Sequence, residues 1–399
     1  MQTELADFIR DTPEGREADA ILRKCVHCGF CTATCPTYQL LGDELDGPRG
    51  RIYLVKQVLE GAVPTQKTQL HLDRCLTCRA CETTCPSGVQ YGRLADIGRA
   101  IVEEKVGRGP WQSLQRAVLG SVLPNAGLFF GLLFLGRVFR WMLPATLKSK
   151  IPAREDPGAW PAARHSRKML ALAGCVQPAL APAINAAAAR VLDRAGVSLV
   201  EAPGAGCCGA VRFHLDDQAA GRNDMRALID AWWPLVERGG VEAIVMTASG
   251  CGAFVKEYAH HLKNDPAYAQ KAARISELTK DLSELDFAGA VQRKDGAGRV
   301  AFQSPCSLQH GQQLRGNVER LLQAAGYELT PVAEGHLCCG SAGTYSLLQP
   351  ELSGQLKQRK LSALHAGGPQ VIATANIGCL SQLQGDSRVP VRHWVQLLE

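Results

Sequence analysis

The stretch that decides the fold is CVHCGFCTATCP, residues 25–36, and its spacing returns as CLTCRACETTCP at residues 75–86. Each copy has the form C-x2-C-x2-C-x3-C-P, which is typical of bacterial ferredoxins that bind [4Fe–4S] clusters. A cubane cluster needs a thiolate at each of its four irons, and the fourth cysteine of each run binds the other cluster in two-cluster ferredoxins. The spacing therefore predicts two [4Fe–4S] clusters.

The exchange of the fourth cysteines gives two interleaved ligand sets. The predicted ligands of cluster 1 are Cys25, Cys28, Cys31 and Cys85. The predicted ligands of cluster 2 are Cys75, Cys78, Cys81 and Cys35. Zinc also binds C-x2-C pairs, but it does not account for two full runs that each end in proline. A disulfide framework is disfavoured because the chain is long and residues 1–17 lack the apolar segment of an export signal.

Length and composition indicate a globular protein of two or three domains. The chain has 399 residues, of which 46% are hydrophobic and 21% charged, and its formal net charge of +6 is too small to indicate a nucleic-acid partner. The segment GAGCCG at 204–209 fits a dinucleotide fingerprint, but its counterpart at 334–340 lacks the glycine pattern. We therefore expect no flavin on this chain.

The segments around the two motifs have helical periodicity. Residues 50–60 lie between the motifs and residues 94–104 follow the second one, and both favour helix over strand. The sequence therefore predicts a helical ferredoxin-like domain over residues 1–110. Residues 111–167 follow as a hydrophobic helix and a linker rich in proline, alanine and basic residues.

Residues 117–136 form an uncharged stretch of 20 residues, which is the length of a membrane span. Pro124, Asn125 and three interior glycines weaken that interpretation, and the unbroken apolar run is only 126–136. Three alternatives stay open: a helix packed in the protein or against a partner, contact with a membrane surface, and a true span. The basic residues of 144–167 are either solvated or in contact with anionic lipid.

The second half of the chain is an internal repeat. From residue 168 onward, short apolar runs alternate with helical segments, which predicts α/β structure with a largely parallel sheet. The remaining cysteines form two sets of four, each with a Cys-Cys-Gly and a 32-residue spacing before it. The sets are Cys175, Cys207, Cys208 and Cys251, and Cys306, Cys338, Cys339 and Cys379. The predicted fold class is α + α/β: a helical ferredoxin-like domain, then Cys-Cys-Gly domains at 168–290 and 291–399.

Each repeated set is a candidate for an additional iron–sulfur cluster. Its cysteines follow predicted strands or lie in glycine-containing loops, so they are expected to meet at the carboxyl edge of a sheet. Adjacent cysteines do not readily bridge each other, and Cys-Cys-Gly therefore favours ligation over a disulfide. The alternative is that small buried cysteines serve as packing. His214, His310 and His336 lie near these cysteines and could tune or bind a metal, although a lone histidine is more often scaffold.

The order of two ferredoxin runs and two Cys-Cys-Gly domains resembles the iron–sulfur subunits of bacterial glycolate oxidases (glycolate dehydrogenases). The segments that carry the resemblance are 25–54, 75–89, 247–258, 336–347 and 374–379. The resemblance implies an oxidoreductase subunit without catalytic residues of its own, in the cytoplasm at the inner face of the cytoplasmic membrane. Its partners would be FAD-containing subunits that oxidise glycolate to glyoxylate, and it would pass the electrons to a quinone or another membrane acceptor.

Two alternative functions remain beside this one. The first is a thiol or disulfide reductase of the heterodisulfide-reductase type, in which the last cysteine of each repeat belongs to a C-x-x-C pair. Here Ala248 and Asn376 occupy the first positions of those pairs, so each copy lacks one thiolate. The second is the electron-transfer subunit of another flavin-dependent 2-hydroxyacid or glycerol-3-phosphate dehydrogenase. Iron and sulfide analysis distinguishes all of these from a zinc scaffold.

Overall fold

The computed structural model describes residues 1–142, 151–294 and 296–399. Residues 143–150, which include the start of the expected linker at 144–167, lie outside the described residues. The first 106 residues contain eight α-helices, and the two cysteine motifs begin in the loops before α3 and α7 and run through these helices. The helices are α1 (Asp7–Arg10), α2 (Pro13–Lys24), α3 (Phe30–Ala33), α4 (Pro36–Leu41), α5 (Pro48–Leu59), α6 (Gln66–Asp73), α7 (Ala80–Thr84) and α8 (Tyr91–Val106).

Helices α5 and α8 form the centre of this helical part, and they confirm the helices expected at 50–60 and 94–104. Pro48 begins α5 at a position where a missing N–H costs nothing. Val55 and Leu94 are buried in the apolar core between the helices. A Cβ on Gly98 would lie 2.4 Å from a methyl group of Val55, so the two helices approach more closely than any other residue at 98 would allow.

The apolar stretch at 117–136 is divided between two helices, α9 (Pro110–Val122) and α10 (Ala126–Val138), which meet at an angle of 104°. Within the described residues, no single helix is long and apolar enough to cross a membrane, whereas this bent pair meets the length and composition requirements together. Most of the pair faces solvent: α9 contributes no buried residue and α10 contributes only Leu133.

Two four-stranded parallel sheets follow, in the orders β2-β1-β3-β4 and β6-β5-β7-β8. In β1 and β2, Arg167 pairs with Val197 and the register continues without a break to Ala171 and Glu201. The strands are β1 (Arg167–Ala171), β2 (Val197–Glu201), β3 (Val241–Met246), β4 (Thr279–Asp281), β5 (Arg299–Gln303), β6 (Glu328–Leu329), β7 (Val371–Thr374) and β8 (Val391–His393). The identical strand orders confirm the repeated α/β architecture predicted from the cysteine spacing.

Helices connect the parallel strands in both repeats, as right-handed crossovers require. Those of the first repeat are α11 (Gln177–Leu180), α12 (Ala183–Arg194), α13 (Ala210–His214), α14 (Gln218–Glu237), α15 (Ser249–Val255), α16 (Tyr258–His261) and α17 (Ala269–Leu278). Those of the second are α18 (Asn317–Ala324), α19 (Tyr345–Leu348), α20 (Pro350–His365) and α21 (Ile377–Gln384), and a π-helical turn spans Ser307–Gly311.

The two sheets share one apolar core. Leu199 and Val245 of the first repeat and Val300 and Ile372 of the second lie in a single cluster of buried residues. Backbone hydrogen bonds also cross between the repeats at the carboxyl ends of the central strands, where the N–H of Ser249 donates to the carbonyl of Ala375 over 3.1 Å. The carboxyl edges of both sheets, and the cysteines on them, are therefore held next to each other.

Candidate iron–sulfur centres

The two ferredoxin loops have the same unusual backbone. In each loop the residues on either side of the second cysteine have positive φ angles: His27 (56°) and Gly29 (86°) in the first loop, Thr77 (48°) and Arg79 (61°) in the second. A β-branched residue such as threonine rarely adopts this conformation, which costs about 1–3 kcal/mol. The turn aims backbone N–H groups at sulfur, and the N–H of Thr77 lies 3.4 Å from the Sγ of Cys75.

The four cysteines assigned to cluster 1 meet in one place. Cys25, Cys28, Cys31 and Cys85 line a single small pocket, to which Cys81 also contributes. Burial raises the pKa of Cys31 to about 11, and the neighbouring thiols of Cys25 and Cys85 act in the same direction. Thiols that converge from the exposed Cys28 to the buried Cys25 and repel one another as anions fit a bound iron–sulfur cluster, because the metal replaces their protons.

The cysteines assigned to cluster 2 lie deeper and beside two arginines. Burial raises the pKa of Cys78 and of Cys81 well above the usual range. Burial alone would also raise the pKa of Cys75, but the guanidinium groups of Arg51 and Arg99 outweigh it and lower that pKa. Arg51 is 1% exposed and is fixed by the carbonyl of His71, 2.7 Å from its Nε. These arginines favour an anionic cluster at this site, and the sequence motifs did not reveal them.

Cys35, the fourth ligand assigned to cluster 2, is also close to that set. Its charge acts on the pKa of both Cys78 and Cys81. Its Sγ lies 3.3 Å from the hydroxyl of Thr37, which in turn donates to the carbonyl of Asp46 over 2.7 Å. The structure therefore brings each predicted set of four ferredoxin cysteines together.

The cysteines of each repeat also converge. In the first repeat Cys175 and Cys208 interact with Cys207, and this interaction lowers the pKa of Cys207 and raises that of the other two. The N–H of Gly209 adds a hydrogen bond to the same sulfur over 3.4 Å. Cys251 lies close enough to Cys208 to raise its pKa as well.

In the second repeat the sulfurs approach in pairs. The Sγ atoms of Cys306 and Cys338 are 3.8 Å apart, and those of Cys339 and Cys379 are 3.2 Å apart. Each Cys-Cys-Gly also depends on its glycine: Gly340 has a φ of 85°, and a Cβ there would lie 2.6 Å from the carbonyl oxygen of Ser353. The corresponding Cβ on Gly209 would lie 2.5 Å from the carbonyl oxygen of Gly221.

The second ferredoxin loop packs directly against the second repeat. Leu76 and Cys78 lie in one apolar cluster with Cys306, Cys338 and Tyr345. The Tyr345 hydroxyl donates to the carbonyl of Arg74 over 3.1 Å, which fixes this contact from the other side. The thiols of cluster 2 and of the second repeat therefore form one continuous buried group.

The same loop also contacts the first repeat. The Nη1 of Arg79 lies 2.6 Å from the Oε1 of Glu257, and the Arg79 Nε also reaches Glu82 at 3.0 Å. Between the loop and the two repeats lies a cavity of about 1020 Å³. Its cysteine lining is drawn from all three parts: Cys75, Cys78, Cys175, Cys208, Cys251, Cys306, Cys338, Cys339 and Cys379.

The histidines noted in the sequence have different environments. His310 uses both ring nitrogens on protein partners, at 2.9 Å from the Thr83 hydroxyl and 2.9 Å from the carbonyl of His336, so it acts as scaffold. His214 lines the cavity with its Nδ1 3.7 Å from the Oδ1 of Asp96. Nε2 of His336 is buried without a hydrogen-bond partner among the described residues.

Two further residues shape the second repeat. Asn376 stands where a C-x-x-C pair would place a thiol: its Oδ1 accepts from the N–H of Gly250 over 3.3 Å, and its Nδ2 lies 3.8 Å from the Sγ of Cys379. Lys360 is 3% exposed and donates to the carbonyls of Glu334 and Gly335, close to Cys338 and Cys339. The sequence pattern drew attention to Asn376 but not to Lys360, whose only signal is a cation in an amphipathic helix.

Comparisons with known proteins agree with this arrangement. A 4Fe-4S dicluster domain model matches residues 21–89, and a cysteine-rich domain model matches residues 169–256 and 300–384. The match of the cysteine-rich model at two places confirms the internal repeat. The dicluster match supports iron–sulfur clusters as the cofactors of the helical part.

Whole-chain relatives extend the comparison. The chain is 55% identical to the glycolate oxidase iron-sulfur subunit of Escherichia coli (strain K12), over 100% of this chain and 98% of the relative. It is 33% identical to the probable glycolate oxidase iron-sulfur subunit of Bacillus subtilis (strain 168), over 91% and 88%. Lactate utilization protein A of Bacillus licheniformis is 26% identical over 51% of this chain and 84% of its own. The chain therefore belongs to the family of glycolate oxidase iron-sulfur subunits.

Proposed function

We propose that this chain is the electron-transfer subunit of a flavin-dependent complex that oxidises glycolate to glyoxylate. The 55% identity to a full-length glycolate oxidase iron-sulfur subunit supports the substrate. A 2-hydroxyacid gives up two electrons together, whereas iron–sulfur clusters when bound carry single electrons, so FAD on partner subunits accepts the pair first. A quinone or another membrane acceptor takes the electrons from this chain, which lies at the inner face of the cytoplasmic membrane.

The observation that carries this proposal is the line of buried thiols from the helical part into the second repeat. Cys78 and Cys306 pack against the same apolar cluster, and the charge of Cys306 raises the pKa of Cys78 in addition to the larger effect of its burial. Cys338 joins the same apolar cluster. Short separations between redox centres favour electron transfer, and this contact gives electrons a route from the ferredoxin loops to the repeats.

The residue roles follow from this arrangement. Cluster 1 is held by Cys25, Cys28, Cys31 and Cys85, and cluster 2 by Cys75, Cys78, Cys81 and Cys35. A further iron–sulfur site lies in the second repeat, with Cys306, Cys338, Cys339 and Cys379 as its ligands. The corresponding domains are 1–110, 168–290 and 291–399, joined by the apolar helices and linker of 111–167.

The test uses anaerobic protein with its iron, alone and with the flavoprotein subunits. We expect glycolate to bleach the cluster absorbance and to produce reduced-cluster EPR signals only when the flavoprotein is present. Lactate and glycerol 3-phosphate serve as comparison substrates, because the related dehydrogenases would use them instead. Bleaching of the isolated chain by glycolate would contradict the proposal, and so would a preference of the complex for either comparison substrate.

A variant tests the route through the second loop. Cys78→Ser removes one assigned ligand of cluster 2 and a thiol that packs against the same apolar cluster as Cys306 and Cys338. We expect it to leave glycolate-dependent reduction of the flavin unchanged and to abolish electron delivery to an added quinone. Wild-type rates of quinone reduction in this variant would show that electrons leave the complex by another path.

A further inference from the structure

The bent pair α9–α10 exposes an unusual amount of apolar surface. Of the 21 large apolar side chains that the described residues expose, 12 lie between Trp111 and Met142. Single exposed apolar residues need no explanation, but a contiguous patch of this kind marks an interaction surface. The patch also includes a tryptophan near each end, Trp111 (67% exposed) and Trp141 (75% exposed).

The apolar residues of α10 surround the helix axis instead of forming one stripe. Leu132 and Phe134 are two positions apart, which places them about 160° apart around the helix, and both are about half exposed. A protein partner covers one face of a helix, whereas lipid can contact all of its exposed sides. A helix that is apolar on every side belongs in a core or in a membrane, and α10 buries only Leu133 in this protein.

The charges around the pair fit an anionic surface. No Asp or Glu occurs between Glu104 and Glu155, a stretch that contains eight Lys or Arg. Two of these cations are neutralised: Arg116 by Asp73 and Asp216, at 3.2 Å and 3.1 Å, and Arg108 by the same two carboxylates and Glu103. The stretch as a whole remains basic and has no carboxylate of its own to repel lipid phosphates.

The pair is firmly held on the protein side. The Nε of Arg212 donates to the carbonyl of Gly120 over 2.9 Å, and the Nη2 of Arg137 donates to the carbonyl of Ala179 over 3.1 Å. Both bonds join the pair to the first repeat. The apolar patch is therefore presented in a fixed direction.

We propose that α9–α10 is a monotopic membrane anchor, which inserts α10 into one leaflet of a bilayer that contains anionic lipid. The 13 residues of α10 span about 20 Å, which is less than the roughly 30 Å thickness of a hydrocarbon core. Arginines flank the apolar segment and the tryptophans mark its ends, as in helices that lie in the membrane interface. The inference deepens the proposed membrane acceptor by naming the surface that meets the membrane, and it rests on that proposal only for its biological purpose.

The first test is flotation of the iron-loaded full chain with lipid vesicles. We expect the chain to float with vesicles of phosphatidylcholine and phosphatidylglycerol, and to bind less well to phosphatidylcholine alone or at high salt. Phe134→Glu should weaken binding by about tenfold or more, because an apolar side chain is replaced by a charge. Val63→Glu is the matched control: Val63 is 87% exposed but lies outside the patch, so this variant should float like the wild type.

The second test locates the contact. Brominated phospholipids quench tryptophan fluorescence only at close range, and we expect them to quench the wild type but to have much less effect on the double variant Trp111→Phe with Trp141→Phe. Iron content, measured for every variant, shows that the chain is folded. Undiminished flotation of Phe134→Glu, equal binding to neutral vesicles, or equal quenching of the wild type and the double tryptophan variant would each overturn the anchor.

A third measurement separates the anchor from the proposed function. In complex with the flavoprotein, we expect Phe134→Glu to keep glycolate-dependent reduction of a water-soluble dye. Loss of that activity together with unchanged flotation would identify the patch as the flavoprotein docking face and overturn the anchor. A complex that does not respond to glycolate would contradict the proposed function, and the flotation results would still decide the anchor.

Discussion

The two Cys-Cys-Gly repeats have the same scaffold but different electrostatics. Both have four parallel strands in the same order and a glycine with positive φ after the paired cysteines. Gly209 packs on the carbonyl of Gly221, and Gly340 packs on that of Ser353. Aligning α14 and α20 on these contacts places Lys360 opposite Leu228.

The same alignment places Leu356 of the second repeat opposite Asp224 of the first. Asp224 accepts from Arg212 over 2.6 Å, so the first repeat has a charge pair beside its cysteines. The second repeat instead has the buried ammonium of Lys360. A buried cation stabilises thiolates and anionic clusters. The two repeats therefore share the glycine turn after the paired cysteines but differ in the charged groups beside it.

Loss of a repeat thiol should show the difference between the two repeats most clearly. We expect wild-type protein to contain more iron than the roughly eight atoms that two cubanes supply. Cys339→Ser should bring the content to about that number, because the second repeat loses a ligand. Its matched variant in the first repeat, Cys208→Ser, should leave the iron content unchanged. Iron and sulfide analysis of anaerobic protein decides this, and greater loss in Cys208→Ser would reverse the assignment.

Replacement of Gly340 and Gly209 tests whether the glycine turn has the same role in both repeats. Gly340→Ala and Gly209→Ala should each cost about 3 kcal/mol of stability, because the new Cβ meets a carbonyl oxygen in a backbone conformation that favours glycine. Gly204→Ala is the control: it has a φ of 80° but no atom within 4 Å of the added Cβ, so it should cost about 1 kcal/mol. The temperature at which cluster absorbance disappears should fall equally in the first two variants. A large difference between them would show that the glycine turns of the two repeats are not equivalent.

A fall in pH should change the stability contributions of His393, at the end of β8, and Asp281, at the end of β4, in opposite directions. Burial lowers the pKa of His393 to about 4, against a smaller opposite effect of its bond to the Thr247 carbonyl. Because His393 is neutral in the folded protein, its contribution to the free energy of unfolding is present above pH 6.5. This contribution is lost as the pH falls towards 4, by up to about 3 kcal/mol. Burial raises the pKa of Asp281, whose contribution is present at low pH and is lost as the pH rises through its folded pKa.

Two variants measure these opposite contributions. In thermal unfolding between pH 4 and 7, His393→Gln should lose stability less steeply than the wild type as the pH falls. Asp281→Asn should lose it more steeply, because the compensating protonation is gone. Parallel profiles for the wild type and both variants would show that neither strand end contributes to the acid response.

Removal of the buried cation should have the smallest effect. Lys360→Met keeps most of the side-chain volume, and we expect the reduction potential of the second-repeat centre to fall by tens of millivolts because an anionic state loses its neighbour. Leu228→Met is the matched change in the first repeat and should leave every potential unchanged. An EPR-monitored redox titration measures both. An unchanged potential in Lys360→Met would mean that the cation does not act on this centre.

Sequence patterns predicted those features of the fold and of the site that depend on the spacing of residues along the chain. The convergence of the ferredoxin cysteines, the helices around 50–60 and 94–104, and the repeated sheets all follow from spacing and periodicity in the sequence. The contact of Cys78 with Cys306 does not, because no local signal joins positions so far apart in the chain. Lys360 was missed because α20 has several basic residues, and only packing against the sheet decides which one turns inward.

The apolar stretch at 117–136 is a second example of a feature that the sequence alone could not decide. Composition alone left packing, membrane contact and a span as alternatives for 117–136. The 104° bend between α9 and α10 excludes one long straight helix there, and the exposure of Phe134 and its neighbours excludes burial in this chain. Both facts depend on how the pair docks on the first repeat, through bonds such as that from Arg212 to Gly120.

Gene fission between β4 and β5 would not yield two stable products. Val245 and Val300 belong to the same apolar core. Either half alone would therefore expose its share of that core to water and would aggregate or bind its counterpart again. The helical part meets the repeats through side-chain bonds such as Arg79 to Glu257 and Thr83 to His310, and through a small apolar cluster around Leu76. The shared core therefore makes the paired repeats a single folding unit, which evolution must keep together.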